Sequence, residues 1–184
     1  MSVALIRGAN AVLKEANGAR LTGLTLGVGW AKGADVNLFA VLCGSDRRVR
    51  GEGDFLFWSQ PVAPGDAVFL LDAGTRKGPA ADAAQVVIDL AALTDDIHFV
   101  HVIVAAVEDG VTLDSLGSLK ARAVNTHTGE TVATYENQEG YDSESCAVIW
   151  EVYRRQGEWK LRAVDQGWRG GIGVLANTYG VDVA

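Results

Sequence analysis

The sequence predicts an all-β protein: a sandwich of two packed antiparallel sheets with a few short helices. Its apolar stretches are short, rich in β-branched residues, and regularly interrupted by Gly, Asp, Asn or Pro, which is the pattern of strands. Helical periodicity is scarce, and strands do not alternate with helices as they do in parallel sheets. Two antiparallel sheets packed face to face are the economical way to bury such runs.

Ten segments carry the strand pattern. In chain order they are LTGLTLGVGW, VNLFAVLC, DFLFW, AVFLLD, AQVVIDL, HFVHVIVAAV, LKARAVN, ETVATYE, CAVIWEVYRR and EWKLRAV. The turn HTGE precedes ETVATYE, and QGE links the last two segments. Gly157 in that link can supply the positive φ that a tight hairpin needs, so we expect a hairpin there.

Helical signal is confined to three places. Residues 89–96 (DLAALTDD) and 110–119 (GVTLDSLGSL) are each predicted to hold a turn or two of helix, and GGIGVLANTYG near the end is predicted to form a short helix closed by Gly180 in the left-handed conformation. No linker-like stretch or charge block divides the chain. We therefore predict a single domain over residues 1–184.

Composition and sequence features indicate which partners, cysteine state and cellular location to expect. Lysine and arginine number 16 against 23 aspartates and glutamates, a formal charge of −7 that disfavours nucleic acid as a partner. Cys43 and Cys146 both lie in apolar runs, which fits buried reduced thiols better than a disulfide. The opening MSVALIRGAN lacks the apolar core of a signal peptide, and no run is long enough to span a membrane. These features predict a cytoplasmic protein.

Catalytic signatures are absent from the sequence. It contains no GxSxG, HExxH, CxxC or P-loop motif, and no GxGxxG in a strand-to-helix context. His98 and His101 are three residues apart, so on a strand they point to opposite faces and cannot share a metal; a structural role is the expectation for both. His127 stands alone in a turn. We therefore expect no enzymatic activity.

The five tryptophans are predicted to serve two purposes. Four of them lie in or beside apolar strand runs, where a large ring usually fills the core: Trp30, Trp58, Trp150 and Trp159. Trp168 stands in DQGWRGGIGV between glycines. It is predicted to occupy an exposed corner, where a tryptophan can anchor a partner protein.

Several stretches, taken together, resemble the TerD-type tellurium-resistance stress-protein family. They are MSVALIRGANAVL, LTGLTLGVGW, ADVNLFAVLC, DFLFWSQP and AVIWEVYRRQGEWKLRAVDQGW, and they span nearly the whole chain. The most specific is YRRQGEWKLRAVDQGW, a hairpin followed by Gln-Gly-aromatic. The resemblance implies a β-sandwich, calcium binding through acidic loops, and a role in resistance to tellurite and other stresses with no established enzymatic route.

The calcium ligands implied by the resemblance are Asp35, Asn37, Asp72 and Asp82, with backbone carbonyls and water completing the six to eight oxygens that calcium takes. The set departs from the family pattern. Asn37 stands where the family has a second aspartate, and the acidic loop reads DAGTRKGPAADAAQVV, with Arg76 and Lys77 opposing a cation. Ala105 or Ala106 also stands where the family places an aspartate.

Two functional hypotheses follow from this resemblance. The first is a non-enzymatic cytoplasmic stress-response protein that acts by binding calcium, partner proteins of the same stress-resistance system, or both. The alternative is a metal-free interaction scaffold that has lost the calcium site of the family. Calcium titration separates the two hypotheses.

Overall fold

A computed structural model of the chain describes residues 2–31, 36–71, 82–106, 108 and 110–182. Within them lie twelve strands and one α-helix: β1 Val3–Leu5, β2 Asn10–Val12, β3 Gly23–Trp30, β4 Val36–Cys43, β5 Phe55–Leu56, β6 Val68–Leu71, β7 Ala84–Asp89, β8 Phe99–Ala106, β9 Leu119–Asn125, β10 Thr131–Asn137, β11 Cys146–Arg155, β12 Glu158–Trp168 and α1 Gly171–Thr178. Two short 3-10 turns span Glu52–Asp54 and Leu113–Leu116.

The strands form two six-stranded sheets that pack against each other. Sheet 1 has the order β1-β10-β9-β3-β7-β6, and sheet 2 the order β2-β12-β11-β8-β4-β5. Described neighbours pair antiparallel, except that β1 runs parallel to β10. The predicted fold class, an all-β sandwich with little helix, is confirmed.

The main core lies between the sheets. In β3 the side chains of Leu24, Leu26 and Val28 are fully buried and face sheet 2, while the residues between them face outward. This period-two alternation is what a strand with one buried face requires. We call the sides of each sheet that meet here the inner faces and the opposite sides the outer faces.

The outer face of sheet 2 is also largely covered, because α1 packs on it. A second apolar cluster there includes Phe39, Val41, Ile103, Leu175 and Ala176. With both faces covered, the central strand β11 is buried over its first eight residues, which explains its continuous apolar sequence.

Both cysteines lie in this second cluster and are free. Cys43 and Cys146 are buried, as the sequence predicted, and no bond joins them. Burial raises the pKa of Cys43 to about 12 and that of Cys146 to about 11, so both thiols are protonated and inert at neutral pH.

The helical predictions have mixed outcomes. The 3-10 turn at Leu113–Leu116 and helix α1 fall where they were predicted, and Gly180 has the expected left-handed φ of 84°. Residues 89–96, in contrast, form turns rather than a helix. The Asp89 carboxylate accepts bonds from the backbone N–H groups of Ala91 and Ala92, and a local turn of this kind competes with helix formation.

Ten strands were expected, and the additional ones are β1 and β2. Each has only three residues and joins the end of a sheet, β1 beside β10 and β2 beside β12. The predicted hairpin joins β11 to β12. Gln156 and Gly157 have φ of 52° and 75° at its turn, the two positive values typical of a tight type I′ turn.

Candidate functional site

Asn37, the amide of the predicted calcium set, lies near the start of β4. It is half-buried and pairs with Ala105 of β8. It has the same alternation as Phe39 and Val41, which pack beneath α1. Asn37 therefore faces outward from sheet 2.

Asp82, the second described member of the set, is bound by a guanidinium. Arg122 of β9 donates from Nε to both carboxylate oxygens at 2.9 Å and from Nη2 to Oδ2 at 2.7 Å, while Gln85 Nε2 donates to Oδ2 at 2.9 Å. The Asp82 side chain is only 4% exposed. The hydrogen bond with Asp82 raises the pKa of Arg122, so the guanidinium stays charged.

Gly27 of β3 makes room for this ion pair. A Cβ built at Gly27 would lie 2.3 Å from Asp82 Cγ, closer than two carbon atoms can approach. Gly27 pairs with both Gln85 and Arg122 across the sheet and points away from the core. The carboxylate therefore lies directly over the glycine, on the outer face of sheet 1.

The structure does not bring the two described ligands together. Asn37 faces outward from sheet 2 and Asp82 from sheet 1, so the sandwich separates them. Asp35 and Asp72 lie outside the described residues. Within the described ranges no three His, Cys, Asp or Glu side chains form a group able to hold a metal ion. The described part of the set does not fit calcium, and calcium binding through the full set stays a prediction.

A polar row that the sequence analysis did not identify crosses the outer face of sheet 2. His101, Glu151 and Arg162 are cross-strand neighbours on β8, β11 and β12. His101 Nε2 lies 2.8 Å from Glu151 Oε2, and Arg47 Nη1 donates to the same oxygen at 2.7 Å. Arg162 Nη1 approaches the other oxygen, Oε1, at 3.2 Å as an ion pair that lacks hydrogen-bond geometry.

The row holds Glu151 as a buried carboxylate. Burial acts to raise the pKa of Glu151, but the bonds from His101 and Arg47 prevail and hold it at about 2. The carboxylate is therefore charged at all physiological pH values. A charge inside an otherwise apolar run, such as Glu151 in AVIWEVYRR, was the available signal, because a buried carboxylate requires a partner.

The tryptophans depart from prediction at two positions. Trp150 is fully buried in the main core, and Trp30 and Trp159 pack against it, as expected. Trp58, predicted to be a core residue, is 76% exposed. Trp168, predicted to lie exposed, is half-buried and packs in the cluster beneath α1. The prediction was wrong for both because apolar neighbours in sequence do not reveal which edge of a sheet is left uncovered.

Fold and residues together define a class: a two-sheet, mostly antiparallel β-sandwich in which the nearly buried carboxylates of Asp82 and Glu151 are ion-paired with arginines. The chain matches the model of the TerD domain over residues 1–179. It belongs to the TerD family.

Relatives with similar sequences carry stress-resistance names. The chain is 29% identical to the tellurium resistance protein TerD of Serratia marcescens and 27% identical to the general stress protein 16U of Bacillus subtilis, in both cases over the full length of both chains. It is 26% identical to the chemical-damaging agent resistance protein B of Clostridium acetobutylicum, covering 73% of this chain and 99% of that one. The tellurium-resistance and stress-protein family suggested by the sequence is confirmed.

Solved structures share the fold. A homologue of the telluride resistance protein (TerD) from Streptomyces coelicolor superposes with a TM-score of 0.66 at 15% identity, covering 89% of this chain and 99% of that chain. At this identity the similarity supports the sandwich alone.

Among the described residues, no helix has the length and apolar character required to cross a bilayer.

Proposed function

We propose that this protein is a non-enzymatic, cytoplasmic stress-response protein that binds partner proteins of the same resistance system and needs no calcium to do so. The stress-resistance names of its relatives support the family-level role. The observation that carries the calcium-independent part is the ion pair between Asp82 and Arg122.

The ion pair between Asp82 and Arg122 disfavours calcium binding at Asp82. Calcium takes six to eight oxygens, and its affinity rises with the number of anionic ligands. Arg122 and Gln85 occupy both oxygens of Asp82, and the guanidinium supplies the positive charge that a cation would supply. Binding calcium at Asp82 would require breaking this pair, and a fixed guanidinium nearby would repel the ion.

Calcium binding is the second candidate. The chain carries a net charge of −7, which concentrates cations near its surface, and Asp35 and Asp72 are two further carboxylates of the predicted set. These residues would need backbone carbonyls and water to complete a shell without Asp82.

A row of aromatic rings that ends at the exposed Trp58 supports the protein-binding part of the proposal. The rings of Phe39, Phe55, Phe57 and Trp58 contact one another in sequence, with centroids 5.8, 6.3 and 6.4 Å apart. They run from the cluster beneath α1 out to Trp58. A groove of about 670 Å³ is lined by the three phenylalanines, while Trp58 lies outside the lining. Its charged lining residues are the exposed Glu52 and Asp182, and Arg50, which is ion-paired with Asp54 and Asp96. This surface suits a partner segment that presents an apolar side chain beside a basic one.

Pull-down against individually purified proteins of the same resistance system tests this surface. Trp58→Ala should abolish capture, whereas Val174→Ala, which trims another exposed apolar residue, should leave it unchanged. Capture that survives Trp58→Ala would refute the surface.

Calorimetric titration of chelator-treated protein with calcium tests the metal independence. The proposal predicts no saturable heat at micromolar calcium. The second candidate predicts micromolar binding that disappears in Asp35→Ala and persists in Asp66→Asn, a change at an exposed carboxylate outside the predicted set.

Activity screens with hydrolase, transferase and redox substrates should be blank. Reproducible turnover that a single carboxylate substitution abolishes would refute the non-enzymatic reading.

A further inference from the structure

A cavity of about 230 Å³ opens on the outer face of sheet 2, where the polar row passes beneath the end of α1. Its floor is buried and includes His101, Glu151 and Tyr179. Its rim is exposed and includes Gln166 and Thr178, with the Arg47 side chain 54% exposed beside them. A solute can therefore enter from solvent and reach buried polar groups.

Three polar atoms of the lining residues are buried without a hydrogen-bond partner among the described residues. They are Nδ1 of His101, Oε1 of Glu151 and Nε1 of Trp168. His101 is 4% exposed and Glu151 3%. Oε1 of Glu151 faces Arg162 as an ion pair, so Nδ1 of His101 and Nε1 of Trp168 are the two atoms for which an occupant of the cavity would supply the partner that buried polar atoms nearly always have.

The hydrogen bonds of the lining residues indicate which donors and acceptors the occupant must have. Nε2 of His101 faces the Glu151 carboxylate and so carries a hydrogen, which leaves Nδ1 as the ring nitrogen that can accept a hydrogen bond. The indole Nε1 of Trp168 can only donate, and the Arg47 guanidinium also only donates. A matching occupant accepts from Trp168 and Arg47 and donates to His101.

The charged side chains at the cavity favour an occupant with a negative charge. The single lining carboxylate, that of Glu151, is paired with two guanidiniums: Arg47, which lines the cavity, and Arg162, which lies outside the lining. Gln166, Thr178, Trp168 and Tyr179 are neutral at pH 7. The site thus carries a local excess of positive charge in a chain whose net charge is −7, and this excess favours a small anion.

The backbone at Arg47 is held in an unfavourable conformation that places the guanidinium at the rim. Arg47 has φ of 63°, and the turn is closed by the bond from Arg47 N to Gly44 O at 3.1 Å. Its guanidinium lies 4.1 Å over the Phe99 ring. Left-handed backbone is unfavourable for a non-glycine residue and is concentrated at functional sites.

From these observations we propose that the cavity binds a small oxoanion that retains one protonated oxygen. The oxoanion accepts hydrogen bonds from Arg47 and Trp168 and donates its O–H to Nδ1 of His101. The site uses neither the aromatic groove nor the predicted calcium ligands, so it is independent of the proposed function.

Isothermal titration at fixed ionic strength and pH 7 tests the site with tellurite, selenite, phosphate and acetate as probes. At least one of the first three should bind saturably with a Kd of about 1 mM or tighter, and acetate, which has no O–H at this pH, at least about tenfold more weakly than that probe. No saturable binding of the three at about 1 mM, or equal binding of acetate, would overturn the proposal.

Variants locate the binding. Trp168→Phe removes the N–H and keeps a ring, and Arg47→Gln removes the guanidinium; each should weaken the bound oxoanion about tenfold or more. Arg155→Gln removes an exposed guanidinium away from the cavity and should bind as the parent does. Circular dichroism should show all three folded. Equal weakening in Arg155→Gln, or none in the two cavity variants, would assign the heat to general charge attraction and overturn the site.

Discussion

At the scale of single residues, the Asp82–Arg122 ion pair shows how the chain handles a carboxylate that the family pattern associates with calcium. The carboxylate is nearly buried, and it is stabilised by three donated bonds from Arg122 and one from Gln85. The glycine beneath it is part of the arrangement, since any side chain at Gly27 would occupy the carboxylate's position. A positive charge is thus built into the protein where a bound ion would otherwise be needed.

Removing this guanidinium should destabilise the fold. Arg122→Gln leaves the Asp82 charge buried and uncompensated, and we expect a loss of about 2–3 kcal/mol in the free energy of unfolding, less than for a fully buried pair because Arg122 is 25% exposed. Urea unfolding of the parent and the variant measures this loss. Lys120→Gln, on the same strand face but 67% exposed, should change stability by no more than about 0.5 kcal/mol. Equal effects of both substitutions would contradict this role of the pair.

Glu151 should make stability depend on acid pH. Its pKa is lowered to about 2 in the folded protein, so its contribution is fully present above its ordinary pKa near 4.5 and is lost as the pH falls toward 2. Between pH 6 and pH 3 the parent should lose about 2 kcal/mol more than Glu151→Gln does. Urea midpoints at the two pH values measure the difference. Glu130→Gln, at an exposed position, should retain the parental pH dependence; a parental dependence in Glu151→Gln would contradict the assignment.

At the scale of elements, α1 makes the outer face of sheet 2 into a second core. Leu175 is 1% exposed and packs in the cluster beneath α1, whereas the adjacent Val174 is 48% exposed. The helix is short, so its stability comes from this packing rather than from its own hydrogen bonds.

Truncating the buried residue tests that view. Leu175→Ala should cost about 2–4 kcal/mol of unfolding free energy through lost burial and the cavity left behind, while Val174→Ala should cost about 0.5 kcal/mol or less. Thermal and urea unfolding report both values. A Leu175→Ala variant as stable as Val174→Ala would show that α1 does not stabilise the sheet.

The elements also show what a sequence can and cannot predict. Runs such as LTGLTLGVGW and CAVIWEVYRR mark their strands because burial dictates the spacing of their apolar residues. The three-residue strands β1 and β2 carry no such pattern, since backbone pairing with a neighbouring strand decides them. Residues 89–96 have a helix-like sequence, but the Asp89 side chain accepts bonds from the backbone and forms a turn there instead.

At the scale of the whole molecule, the site was less predictable than the fold. Cross-strand neighbours such as His101 and Glu151, or Asp82 and its guanidinium, are distant in sequence, and register decides that they meet. The family resemblance identified candidate ligands, but whether a carboxylate faces a cation or an arginine depends on the partner strand. Trp58 and Trp168 exchanged their predicted environments for the same reason.

The molecule as a whole is expected to be stable without a metal ion. The main core between the sheets and the second cluster beneath α1 together bury dozens of apolar side chains. Each Å² of apolar surface removed from water stabilises the folded state by about 25 cal/mol. A ligand that binds only the folded state would add about 2.7 kcal/mol at a hundredfold excess over its Kd. We expect the fold to be stable without that addition.

The most direct test is the thermal midpoint of the purified protein with calcium and with a chelator, using magnesium in place of calcium as the control. For a chain of this length, 1 kcal/mol shifts the midpoint by about 2–4 °C. We expect the chelator to change the midpoint by no more than about 2 °C, because Arg122 already balances the charge of Asp82. A drop of about 8 °C or more that calcium reverses and magnesium does not would show that a structural calcium ion holds the sandwich together, and would contradict the account.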